Sequence, residues 1–289
     1  MAMPRGPGAI DLMIGFARVD DSSVYDFLRP SLKDEETASG KLTMPAGYMF
    51  KEIPDTIDQD RDAIDTTLAE MDRWGIAAGL FGLDDRAREA SRRYPGRVYF
   101  RMEVDPNDVM ETIRRVKQTH ADEDLKAVSV FPAGCRPQVP VDDPKMYALY
   151  ATCVELDIPV VVNAGMAGPR VPSACQDVAR FDPVCYDFPD LRIVMRHGAE
   201  PWEKLATKLM LKWPNLYYMT SAFAPRHYPE AIIDYANTRG ADKIMYAGYY
   251  PSGLTLERIF TELPEVPFRD HVWPKFLREN ATRVFGLAV

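Results

Sequence analysis

"LRIVMRHGAEPWEKLATKLMLKWPNLYYMTSAF" (residues 191–223) contains one full structural period of this chain. It opens on a short apolar run around Ile193–Met195, passes through a helix-length amphipathic stretch, and closes on a second run around Leu216–Met219. A strand, a helix and a strand at that spacing predict a parallel pair joined by a right-handed crossover. Working outward, the same period recurs. The strand candidates are "AIDLMIGF" (9–16), "IAAGLFGL" (76–83), "RVYFRMEV" (97–104), "LKAVSVF" (125–131), "PVVVNAG" (159–165), "LRIVMRHG", "LYYMTSAF" and "KIMYAGYY" (243–250). Helical patterns lie between them; in residues 143–157 the apolar Met146, Leu149, Tyr150, Cys153 and Leu156 make one face.

About eight such units predict a TIM-type (β/α)8 barrel of the α/β class. Barrels of this kind reach 289 residues as one unit, so a single domain over 1–289 is expected. An open doubly wound sheet is the alternative, but no glycine-rich phosphate turn follows the first strand. Asp105 before Pro106 and Asp143 before Pro144 read as helix N-caps. Residues 17–60 form a long insert after the first strand, expected to be a lid or an interface arm.

The formal charge of −8 and pI of about 5.2 argue against nucleic-acid binding. No signal peptide is visible, and the apolar runs are too short to span a bilayer. Four cysteines without a CxxC pair read as reduced thiols, and the chain reads as cytoplasmic.

Barrel chemistry sits at the C-terminal ends of the strands. Here these carry Asp11, Met13 and Gly15; Arg101 and Glu103; Ser129; Asn163; His197; Ser221; and Tyr249. His120, His227 and His271 lie elsewhere and look structural. The stretches "RHGAEPWEKL" (196–205), "PNLYYMTSAFAPRHYP" (214–229) and "NTRGADKIMYAGYYP" (237–251) are similar to the C-terminal half of amidohydrolase family 2. That group includes the aminocarboxymuconate-semialdehyde decarboxylases, and the resemblance reaches back through residues 142–165 to the opening "AID".

The resemblance implies a divalent metal bound by two histidines on the first strand and one on the fifth, with an aspartate on the eighth. This chain has Met13, Gly15, Asn163 and Tyr249 at those positions. None is a good donor to zinc, so no metal and no other cofactor is expected. The sixth-strand histidine, an acid–base group in the relatives, is kept as His197.

The resulting expectation is a metal-independent hydrolase or lyase acting on a small carboxylate. His197, Asn163, Tyr249 and Asp11 are its catalytic candidates. Met13, Gly15, Lys51, Ser129, Arg170 and Ser221 are its substrate-binding candidates, and Tyr249, Asn163 and His197 are expected to share one hydrogen-bonded constellation. Arg196, preceding His197 on a strand, is expected to face a helix. The alternatives are an inactive subunit supporting a metal-containing paralogue and a conventional metal-dependent hydrolase or decarboxylase. A homodimer or a heteromer with a paralogue is expected.

Overall fold

The computed structural model describes residues 3–4, 8–20, 25–39, 44–50 and 52–289. Eight parallel strands run in consecutive order: β1 (Ala9–Asp11), β2 (Ile76–Gly82), β3 (Val98–Glu103), β4 (Ala127–Val130), β5 (Val160–Asn163), β6 (Ile193–Arg196), β7 (Leu216–Met219) and β8 (Ile244–Met245). Backbone bonds from Leu12 N to Tyr246 O (3.4 Å) and Gly15 N to Tyr250 O (2.8 Å) bring the last strand round to the first. The architecture is the TIM-type α/β barrel that the period predicts.

Helices Ala63–Arg73, Asp85–Arg93, Val109–Glu123, Pro144–Glu155, Phe181–Asp187, Glu203–Lys212 and Glu230–Thr238 make the seven crossovers. The Asp143 cap is present, its carboxylate accepting from Lys145 N at 2.9 Å ahead of Pro144. The Asp105 cap is displaced. Asp105 is spent on a turn to Asn107 N (3.0 Å), and Asp108 caps the helix through Glu111 N (3.1 Å).

Two apolar layers result. Ile10, Leu12, Leu80, Ala127, Val161, Val194, Tyr217, Met219 and Met245 fill the barrel, and Ala281, Val284, Phe285 and Leu287 of the C-terminal segment pack against the same cluster. The other strand face, with Ile193, Met195 and Tyr218, packs against the helices. The barrel interior is thus filled with apolar side chains, which leaves the strand ends as the place for polar chemistry.

Among its described residues, the insert between β1 and Ala63–Arg73 has short helical turns at Asp26–Ser31, Glu35–Ser39 and Gly47–Met49. It is held across the barrel. Tyr48 Oη donates to Gly168 O at 2.8 Å, and Phe50 stacks on Tyr249 with ring centroids 5.9 Å apart.

Candidate active site

The parity of each strand decides what reaches the barrel mouth. Val194 points into the barrel, so Arg196, two residues on, points the same way. This corrects the expectation that Arg196 faces a helix. The same rule brings Arg101 and Glu103 on β3, Ser129 on β4 and Asn163 on β5 to the mouth. Asn163 and Arg196 are register partners, as are Glu103 and Ser129.

These five side chains form one network. Arg196 Nη2 donates to both Glu103 carboxylate oxygens, at 2.8 and 3.0 Å, and Arg196 Nε donates to the Asn163 amide oxygen. Arg101 Nη1 donates to Glu103 and to Ser129 Oγ, each at 3.2 Å, and Ser129 Oγ donates to Glu103 at 2.7 Å. Both arginines are buried, whereas Glu103 keeps 45% of its side chain exposed. Glu103 therefore lines an opening rather than a sealed core.

Two donors in this network, Arg196 Nη1 and Arg101 Nε, are buried without an acceptor. Each such group costs about 1–3 kcal/mol relative to a satisfied one. Burial and the neighbouring Arg196 charge push Arg101 down to about 10, so it stays protonated at neutral pH. Desolvation would raise the Glu103 carboxyl, but Arg196 and Arg101 outweigh it and hold the group below its ordinary value. Two guanidinium ions and one carboxylate leave one positive charge over.

His197 follows β6 in a left-handed conformation, φ 67°, which turns its ring back over the mouth. Ser221 Oγ accepts from the His197 backbone N–H (3.2 Å) and pairs with Nδ1 at 3.0 Å. The ring meets Tyr249 edge-on, centroids 5.3 Å apart. Burial first, then the charges of Arg196 and Arg101, hold the imidazole well below its ordinary 6.5, so it is neutral at physiological pH. Burial likewise raises the Tyr249 phenol, which stays protonated.

The expected trio therefore divides. Asn163 is taken by Arg196, His197 by Ser221, and Tyr249 packs on His197 without a hydrogen bond to Asn163. Asp11 lies outside this group. Its carboxylate accepts from Met13 N (2.9 Å), Gly248 N (2.8 Å) and Tyr246 Oη (3.2 Å), fully buried. Met13 packs against the barrel filling, and Gly15 makes a backbone bond to Tyr250. Arg170 is drawn to the insert, donating to Asp34 (2.8 Å) and Glu36 (2.7 Å) with its guanidinium over the Tyr48 ring. Lys51 lies outside the described residues.

Among the described residues, no three His, Cys, Asp or Glu side chains gather as a metal-binding group. No helix among them is long and apolar enough to cross a membrane. Arg101, Glu103 and Arg196 join the site although the sequence reading gives the first two strand-end residues no role and turns the third toward a helix. Their signal is charge at the ends of otherwise apolar strands, in "FRME" and "VMRH".

A parallel barrel with polar strand ends defines a class of enzyme scaffolds, and the comparisons give the family. The amidohydrolase family model matches residues 33–287, and the chain belongs to that family. An uncharacterised TIM-barrel protein from Bordetella bronchiseptica is similar over 96% of this chain and 98% of its own, at 20% identity and a TM-score of 0.73. The 5-carboxyvanillate decarboxylase of Novosphingobium aromaticivorans, solved with manganese, is similar over 96% of both chains at 16% identity and a TM-score of 0.66. The 2,6-dihydroxybenzoate decarboxylase from Rhizobium is similar over 97% of this chain and 99% of its own, at 14% identity and a TM-score of 0.62. No curated protein matches the chain.

Proposed function

We propose that this chain is a hydrolase or lyase that acts on a small organic carboxylate without a metal ion, using His197 for proton transfer. The observation that carries the reading is a neutral imidazole, steadied by Ser221, at the edge of an opening with one surplus positive charge. A neutral imidazole takes a proton from water or a substrate hydroxyl and returns it to the leaving group or carbon. The nearby guanidinium groups stabilise the anion that forms. The names of the two decarboxylases, both acting on small carboxylates, support the substrate class.

Metal independence rests on the donor chemistry. The Asn163 oxygen faces a guanidinium, Met13 and Gly15 offer a thioether and no side chain, and the Tyr249 phenol keeps its proton. Two buried guanidinium ions oppose a dication at the same place. We also infer a cytoplasmic protein that pairs with itself or a paralogue. This is supported by four unbridged cysteines and by exposed Phe27, Tyr48 and Met49 on the insert.

The test is a panel of small carboxylates assayed with protein purified without chelator, and again after EDTA. Activity is expected to survive EDTA and to fall about 10²–10⁴-fold in His197→Ala. The acidic limb of kcat/KM is expected below the ordinary 6.5 of imidazole. One equivalent of zinc or manganese per chain with EDTA-sensitive turnover, or full activity in His197→Ala, would overturn the reading.

A further inference from the structure

We propose that Arg196 and Arg101 form the carboxylate subsite of this barrel, and that Glu103 tunes it to accept a monoanion. The inference rests on the functional reading above only in placing the substrate at the barrel mouth. The two guanidinium groups enter from β3 and β6, on different sides of the mouth, and Glu103 bridges them. Arg196 is almost wholly buried, with 4% of its side chain accessible, and its Nη1 has no acceptor. Arg101 Nε also has none.

A purely structural Arg–Glu–Arg cluster would look different. It would close its donors on its own acceptors and exclude water, because a half-satisfied charged network is worse than an apolar core. Here the carboxylate is open to solvent on one side, while two guanidinium N–H groups of the same network are buried without an acceptor. A planar guanidinium presents its N–H groups as a fork that matches a carboxylate, which a lone ammonium cannot do.

The charge count sets the valence of the ligand. The charges that act most on Arg101 are those of Arg196 and Glu103, and Tyr25, Tyr249 and Ser129 beside it carry hydroxyl groups. His197 faces the same region but is neutral. One bound carboxylate therefore neutralises the mouth. A second would have to sit beside Glu103 with no cation left to face it, and like-charge crowding at short range opposes this.

The test is direct binding to the full chain at neutral pH, read by ligand-observed NMR. Acetate and benzoate serve as monoanions, malonate and phthalate as dianions, and benzamide as the neutral control. The monoanions are expected to bind at least about tenfold more tightly than the dianions or benzamide. Arg196→Gln is expected to weaken benzoate about tenfold or more. Arg101→Lys keeps the charge, loses the fork, and is expected to weaken benzoate several-fold in protein that still unfolds cooperatively.

Glu103→Gln frees a second positive charge and is expected to turn the preference toward malonate and phthalate. Benzoate binding that survives both arginine substitutions, or a preference for monoanions that survives Glu103→Gln, overturns the proposal. Benzoate binding by the parent chain is expected whether or not any carboxylate is turned over. Failure of the carboxylate subsite is thereby separated from failure of the catalytic assignment.

Discussion

The ends of β1 and β6 each carry a titratable cluster, and the two differ in whether its hydrogen bonds are complete. At β1, Asp11 receives three donors, Met13 N, Gly248 N and Tyr246 Oη, and is sealed from solvent. At β6, Arg196 keeps an unmatched donor beside an opening, and His197 sits in a left-handed conformation with its charge suppressed. A buried carboxylate with its acceptors taken by three protein donors has nothing left to offer a ligand. An incomplete cluster with a strained residue is where a ligand has work left to do.

Changing Asp11 gives the larger effect and sharpens that contrast. Burial outweighs its three hydrogen bonds and raises its carboxyl from 3.8 to about 6. A carboxyl raised on folding favours the folded state fully below 3.8, and that contribution disappears as the pH rises through about 6. Asp11→Asn keeps an oxygen for the two backbone donors and removes the charge. Thermal unfolding should show the variant more stable than the parent at pH 7, by roughly 3 kcal/mol, with a flatter slope between about pH 4 and 6. Equal slopes in the two proteins would show that Asp11 is better solvated than its neighbours imply.

A smaller effect, of about 1–3 kcal/mol, is expected from Gly248→Ala. A Cβ there would meet Asp11 Oδ2 at 2.5 Å and Tyr246 Oη at 3.2 Å, while the backbone N–H of the same residue holds that carboxylate in place. Denaturant unfolding should register the loss, and benzoate binding at the β6 side should stay as it is. Loss of binding at unchanged stability would mean that the two strand ends are coupled, and the contrast between them would collapse.

The barrel was legible because its period is long and repeated. A strand pattern followed by an amphipathic run such as 143–157 leaves few other topologies. The inward face of a strand was not legible. "IVMR" is apolar on both faces because one packs on helices and the other fills the barrel, so alternation gives no sign of which side Arg196 takes. The register that pairs Arg196 with Asn163 is a long-range fact, and the turn at His197 depends on a positive φ in a residue other than glycine. Asp11 sits in a motif that suggests chemistry, but only the positions of Gly248 and Tyr246 show that its oxygens are already taken.

The smallest effect concerns the insert, and it tests whether the mouth is a site with a movable cover. Arg170 clasps Asp34 and Glu36 while stacking on Tyr48. Arg170 and Asp34 keep 33% and 32% of their side chains accessible and Glu36 74%, and ion pairs open to solvent to this degree add little to global stability. Arg170→Ala should therefore melt like the parent. Its effect should be local: Tyr48 keeps a single bond to Gly168 O, and the insert should be cut faster by a protease at low dose. The Thr37 hydroxyl and Arg170 hold the Asp34 carboxyl down to about 2, so the Arg170–Asp34 arm of the parent's clasp should withstand acidification to about pH 3. Faster cutting at an unchanged melting temperature would separate the insert from the barrel energetically. A fall in melting temperature would make the insert part of the barrel's own core, and the mouth would then be a fixed surface.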